Sequence, residues 1–231
     1  MGRKLAQGTK EFVLPDLPPV WYDQEDINSC VGHAIAFCLS YFYYKKTQQA
    51  VMFSPMYVYW HARYIRGTIY RDDGSFLIDG VNSVVRWSAC REKVWQHSHS
   101  NLTLQPSPEA YEDAMNFALT ARYAVVRTVD EMKKALIHQL PVVLGFPVPE
   151  HFRRSLNGSE VFVMPPQPNE RILGGHAIVV IGFSDYKDAF LCRNSWGRDW
   201  SIDGNFWLHY DYVNNGFVEN AYALQVRRRR A

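Results

Sequence analysis

The sequence has few cysteines, no long apolar run and no excess of either charge, and each absence removes a class of protein. Cys30, Cys38, Cys90 and Cys192 are its 4 cysteines in 231 residues, too few and too scattered for a disulfide scaffold. Cys30 and Cys38 lie two helical turns apart on roughly one face, and that rise of about 12 Å exceeds disulfide reach. A reducing compartment, cytoplasm or virion, is therefore expected. No stretch approaches the roughly 18 consecutive apolar residues of a membrane span. The longest, AIAFCLSYFYY, runs directly into lysines. The N-terminal MGRKLAQGTKEF lacks the apolar core of a cleavable signal. With 25 Lys plus Arg against 23 Asp plus Glu, the net charge is +2, which argues against nucleic acid as a partner. The one basic run, Arg227 to Arg230, reads as a solvated end.

What is present is an ordinary globular composition, 47% hydrophobic and 21% charged, sufficient for one large domain or two lobes. Residues 1–22, with Pro15, Pro18 and Pro19, read as an extended arm. From Cys30 to about Tyr44 the chain is apolar almost all round, as in a buried helix, with Ser29 at its N-cap. Ser54-Pro55 and Ser107-Pro108 open two more helices, another is expected over Phe76 to Ser88, and Thr128 with Glu131 makes a capping box. After Pro141 the texture changes. VVLGF, HAIVVIGF, AFLCRNSW and GNFWLHY are rich in β-branched and aromatic residues and read as strands. Helices first and strands second give an α+β fold of two lobes meeting at a cleft, residues 23–124 helical and 125–231 β-rich.

Three residues in this frame carry chemistry. The unpaired N–H groups and dipole of a first helical turn favour a thiolate, and Cys30 is placed there whereas Cys38 is in mid-helix. His176, in GGHAIVVIGF, is read as opening a strand after two glycines. Asn194, in RNSWG at the end of the next strand, could accept the histidine Nδ1–H, with Trp196 shielding that bond from water.

Gln24 ahead of Cys30, the pair Gly175-His176 and the run Asn194-Ser195-Trp196-Gly197 together resemble the papain-like cysteine peptidases. SCVGHAIAF, SPMYVYWHAR, PSPEAYEDA, LGGHAIVVIGF and WGRDWSIDGNFWLHYDYV look like their counterparts in short microbial and viral members without a long prodomain. The resemblance implies a two-lobe papain-like fold with a β-barrel-like right lobe. It implies Cys30 as nucleophile, His176 as general base and then acid, Asn194 as orienter of the imidazole, and Gln24 as an oxyanion donor beside the Cys30 N–H. Gly74, Ser75, Ala177 and Trp196 are expected to border the substrate, with Tyr64 also near the cleft.

The departures are local. Val31 follows the nucleophile, and Ile27 cannot form the disulfide common in secreted relatives. Asn28 replaces a near-standard glycine, where its tolerance of left-handed geometry would serve. Ser201 stands where glycine is common.

The expected function is endopeptide hydrolysis through a thioester, with no cofactor, a peptide or protein as partner, and a monomer. An inactive binding module and an acyl-transfer or deamidating enzyme are the alternatives. Cys30 and His33 have C-x-x-H spacing near His97 and His99, but no second Cys/His pair supports a metal site. The arm over Phe12 to Trp21 is expected either to regulate access to the cleft or to pack as a structural strap.

Overall fold

A computed structural model describes residues 8–154, 160–218 and 220–229, with the side chains of 153 and 154 excepted. The first seven residues of the arm and Arg230 of the basic run lie outside the described residues. The helical half comprises α1 (Cys30–Thr47), α2 (Pro55–Arg66), α3 (Leu77–Trp87) and α4 (Pro108–Phe117), preceded by β1 (Glu11–Val13). Then come β2 (Leu119–Val125), α5 (Val129–Ile137), β3 (Val142–Pro149), α6 (Glu150–Arg154) and β4 (Phe162–Val163). The chain closes with β5 (Ile172–Ser184), β6 (Ala189–Arg193), β7 (Asn205–His209), α7 (Asp211–Asn214) and β8 (Ala221–Arg228).

Local chemistry sets the helix starts. The Ser54 and Ser107 side chains accept from Tyr57 N–H and Ala110 N–H with proline in each first turn, and Thr128 with Glu131 forms the expected capping box. Helix α1 is buried from Val31 through Tyr41. It can lie so close to α2 because of Gly32, where an added Cβ would collide with the Pro55 carbonyl oxygen.

The strands form one mixed sheet in the order β2-β8-β3-β5-β6-β7-β4, with β1 added to β5. The ends, β2 and β4, do not pair, so the sheet is open and the barrel-like description of the right lobe is corrected. The 13-residue β5 pairs with β3, β6 and β1, and α1 packs against it. The division drawn at residues 124 and 125 falls inside β2. No helix among the described residues is long and apolar enough to cross a membrane.

The described arm packs along the sheet. Glu11, Phe12 and Val13 pair with Ser184, Phe183 and Gly182, Phe12 stacks on Phe183 at 6.2 Å, and Leu14, Val20 and Tyr22 are buried. Tyr22 ends it in the helical layer, its hydroxyl donating to the Phe53 carbonyl and bonding Ser40.

Candidate active site

The segment from Asp23 to Ser29 is a set of tight turns that brings Cys30 to the tip of α1. Ile27 N–H donates to the Gln24 carbonyl at 3.1 Å and Ser29 N–H to the Ile27 carbonyl at 2.7 Å, with the Ile27 side chain buried beneath. The left-handed residue here is Glu25, at φ 50°, and not Asn28 as the sequence suggested; Ser201 does adopt it, at φ 51°. Ser29 stands at the N-cap, but its side chain caps nothing. Its Oγ lies between His33 Nδ1 (3.2 Å) and His97 Nε2 (2.9 Å), while His33 Nδ1 also reaches the Ser29 carbonyl (3.0 Å). The first-turn N–H groups are thereby left for the thiol. The backbones of Cys30 and Val31, together with Ala177 on β5, hydrogen-bond the half-buried Cys30 sulfur.

Ala177 follows His176 in β5, so the helix tip meets β5 one residue from the histidine. His176 is the fifth residue of β5, opposite Phe146 on β3, rather than the first of a strand. Pairing with β3 fixes the backbone of His176, and the bond to Asn194 with the stacked Trp196 fixes its ring. Burial pushes the Cys30 thiol up, against the three backbone bonds, and the Asp72 charge adds to that rise. Burial holds His176 down at about 4, partly offset by its bond to Asn194. Each group therefore resists carrying a charge alone, and a proton passing from sulfur to imidazole creates both charges together.

The Asn194 Oδ1 lies 2.8 Å from His176 Nε2, which corrects the Nδ1 contact expected from the sequence. Since Oδ1 only accepts, Nε2 carries the proton and Nδ1 is the ring's other, free edge. Ser195 N–H donates to the same Oδ1 at 2.9 Å and fixes the amide. Trp196 stacks on the imidazole at 5.0 Å with the ring planes 29° apart, covering the bond as expected. Trp200 and Phe152 pack behind Trp196.

Gln24 is 8% exposed and tied to the same corner. Its N–H donates to the Ser195 carbonyl at 2.8 Å, and its Oε1 accepts from Ser195 Oγ at 2.7 Å. Nε2 gives one hydrogen to the Ile27 carbonyl at 3.0 Å, and because a carbonyl only accepts, this fixes which end of the amide is nitrogen; its second hydrogen has no partner among the described residues.

Two residues of this site were not found in the sequence. The Asp72 carboxylate accepts from Asn28 N–H (3.1 Å to Oδ2) and from Tyr59 OH (2.7 Å to Oδ1), while Asn28 Nδ2 donates to the Asp72 carbonyl at 2.7 Å. Tyr59 OH in turn accepts from Gly74 N–H at 3.1 Å. A polar clamp thus ties the loop before Cys30 to the loop holding Gly74 and Ser75. All four cysteines are free, so no disulfide performs this task. Ser195, the second, is the lock on Gln24. Asp72-Asp73-Gly74-Ser75 is visible as a turn, but its partner lies 44 residues away, and Ser195 lies 171 from Gln24.

Of the remaining expectations, Gly74 lies beside Asn28, Ala177 touches the thiol and Trp196 covers His176. Ser75 has its Oγ buried without a hydrogen-bond partner among the described residues. Tyr64 is elsewhere, stacked on Trp60 and against Trp87 in the helical layer.

The buried imidazoles make stability depend on pH. Burial holds His33 at about 3, His61 at about 4 and His176 at about 4, all below the ordinary 6.5. The unfolded chain takes up protons below 6.5 that the folded chain refuses, so this stability is full above that pH and is lost as pH falls toward 4. Each imidazole is worth on the order of 3 kcal/mol. Glu92 works in opposition, since burial pushes it up to about 7 and its contribution is lost as pH rises through that value. Three imidazoles outweigh one carboxyl. Tm is expected to fall by several degrees or more between pH 6.5 and 4.5, with a shallower slope in His61→Gln. A Tm constant across this window in the wild type would contradict neutral burial.

The model of the papain family cysteine proteases matches residues 21–225. An uncharacterized peptidase C1-like protein of Acanthamoeba polyphaga mimivirus is 30% identical over 201 residues, covering 83% of this chain. The chain spans 64% of that relative's length. Xylellain, a cysteine protease from Xylella fastidiosa, superposes with a TM-score of 0.85 at 28% identity, over 96% of this chain and 87% of that one. The bromelain protease from Ananas comosus gives a TM-score of 0.70 at 17% identity, over 95% and 99% respectively, a likeness of fold. With the match running from Trp21 into β8, the chain belongs to the papain family of cysteine proteases.

Proposed function

We propose that the protein is an endopeptidase that cleaves peptide bonds through a thioester on Cys30. The observation that carries the reading is the buried His176 Nε2–Asn194 Oδ1 bond of 2.8 Å under Trp196, which reserves Nδ1 for the thiol. His176 takes the Cys30 proton through Nδ1 as sulfur attacks the scissile carbonyl. The free Gln24 Nε2–H and the Cys30 N–H stabilise the resulting oxyanion. Collapse breaks the C–N bond, the imidazolium gives its proton to the departing amine, and a thioester remains. Water, deprotonated by His176, then releases the acid and restores the thiol. The loop of Gly74 and Ser75 borders the substrate on the side of Asp72, with Ala177 and Trp196 opposite.

The test is labelling with an epoxysuccinyl inhibitor followed by product analysis on a peptide library. Label on Cys30 with two hydrolytic fragments per cleavage supports the reading. Label with ligated or deamidated products supports acyl transfer instead, and an unlabelled Cys30 supports an inactive module.

Asp72 enters this reading as a positioning residue. Asp72→Ala leaves the buried Tyr59 hydroxyl and the Asn28 N–H without their acceptor, at about 1–3 kcal/mol of stability. The loop before Cys30 loosens, and kcat is expected to fall about tenfold with a smaller change in KM. Removing the carboxylate also removes a charge that raises the thiol, so alkylation of Cys30 should titrate at lower pH. A variant with a lowered Tm but unchanged kcat and unchanged alkylation profile would leave Asp72 a purely structural role.

A further inference from the structure

At the C-terminal end of α1, opposite the end that carries Cys30, lies a cavity of about 750 Å³. Its lining combines the last turns of α1, the end of α4, and the end of β8. Five cations and one carboxylate line it, a net of +4 where the whole chain carries +2, so positive charge is concentrated here. The carboxylate, Asp113, is buried and already engaged by Arg91, which meets it with Nε at 3.0 Å and Nη2 at 2.5 Å. Lys45, Lys46, Arg227 and Arg228 have no acidic partner within ion-pair distance among the described residues.

Lysines in a last helical turn are favoured by the helix dipole, and that accounts for Lys45 and Lys46 alone. It does not account for two arginines brought to the same cavity by a strand about 180 residues further on. Gathering like charges without ion-pair partners around one cavity is unfavourable, and more so at Lys45, where partial burial disfavours the ammonium and the Asp16 charge only partly offsets it. Below them the floor is aromatic and rigid: Tyr43 and Phe117 pack edge-on at 5.3 Å, and both rest on the fully buried Phe53.

We infer that this cavity is an exosite for a short acidic peptide segment bearing a large apolar side chain, carried by a protein partner. The cations stand on two walls contributed by different elements rather than converging on one point. Their complement is several separated negative charges along an extended chain, not one compact anion. The apolar side chain occupies the floor, and the volume suits a few residues rather than a folded surface. Single-stranded nucleic acid also presents spaced charges, but it needs open aromatic faces. Here the Arg91 guanidinium stands 5.6 Å over the Phe117 ring, and that ring's remaining contacts with Tyr43 and Phe53 are edge-on. The exosite is independent of the reaction proposed for Cys30.

The experiment is fluorescence anisotropy on the full chain with three labelled probes: the peptide Glu-Asp-Phe-Asp-Glu, its neutral analogue Gln-Asn-Phe-Asn-Gln, and a single-stranded oligothymidylate. Titrations run with the protein untreated and again after alkylation by iodoacetamide, so that binding in the cleft is distinguished. The acidic peptide is expected to bind in both states, to weaken as salt rises, and to weaken about tenfold in Lys45→Glu/Lys46→Glu and again in Arg227→Glu/Arg228→Glu. Cleavage of a short neutral peptide should be unchanged in both variants. Phe117→Ala separates the apolar contribution and should weaken the acidic peptide at constant salt slope. Equal affinity for acidic and neutral peptides, unchanged affinity in both charge reversals, or preference for the oligothymidylate would each overturn the assignment.

Discussion

Cys30→Ala is expected to abolish peptide hydrolysis, by on the order of 10⁵–10⁶ in kcat, while the protein stays folded. The thiol is only partly buried at the margin of the core, so its loss removes one sulfur atom and little packing. No other thiol can take its place. Cys38, Cys90 and Cys192 are completely buried, and burial pushes each far above the ordinary thiol range. Alanine at these three positions should leave kcat near wild type and lower Tm modestly, the reverse of the Cys30 result. Turnover under single-turnover conditions and the thermal unfolding midpoint, measured on the four variants side by side, separate the two patterns. Residual hydrolysis by Cys30→Ala within a hundredfold of wild type would remove Cys30 from the proposed reaction.

The parts of the fold set by local chemistry were legible in the sequence. Serine–proline starts at Ser54 and Ser107, the Thr128–Glu131 box and the all-apolar α1 each depend on neighbours within a few residues. The strands after Pro141 were legible from their β-branched and aromatic content. What depends on tertiary pairing was not. The local signal for β5 beginning four residues before His176 is weak, since the strand-favouring Ile172 is followed by only Leu173 and then two glycines, which disfavour strand. The histidine edge facing Asn194 depends on the rotation of β6 against β5, which a spacing of 18 residues leaves open. The open sheet follows from β2 and β4 ending the strand order unpaired, a matter of topology. Likewise, the left-handed residue of the loop before Cys30 is set by how Asp23 and Gln24 bond to Trp196 and Ser195, which moves the turn to Glu25. The order Gln24, Cys30, His176 and Asn194 was readable because the family arranges it along the chain. Asp72 and Ser195 were not, because each acts only through a partner far away in sequence.

Gln24→Ala is expected to lower kcat by about 10²–10³, or about 2.7–4 kcal/mol, with a smaller change in KM, if its free amide hydrogen meets the charge that develops in the transition state. The geometry makes the prediction divisible. Ser195 Oγ holds Gln24 Oε1 at 2.7 Å and so keeps Nε2 in place, while the Ile27 carbonyl occupies one of the two amide hydrogens. Ser195→Ala removes the lock and leaves the donor, so kcat should fall by about tenfold at most. Gln24→Glu keeps an acceptor for Ser195 and replaces the donor with a charge that repels the oxyanion, and it should be at least as damaging as Gln24→Ala. Alkylation of Cys30 by iodoacetamide builds no oxyanion, so its rate should change far less than kcat in all three variants. An electrostatic role gives this order: Gln24→Glu at or below Gln24→Ala, both far below Ser195→Ala, and alkylation nearly level. If Gln24 only packs the corner between α1 and Ser195, the three variants should instead fall together in kcat, alkylation rate and Tm. Wild-type kcat in Gln24→Ala would take the residue out of the mechanism altogether.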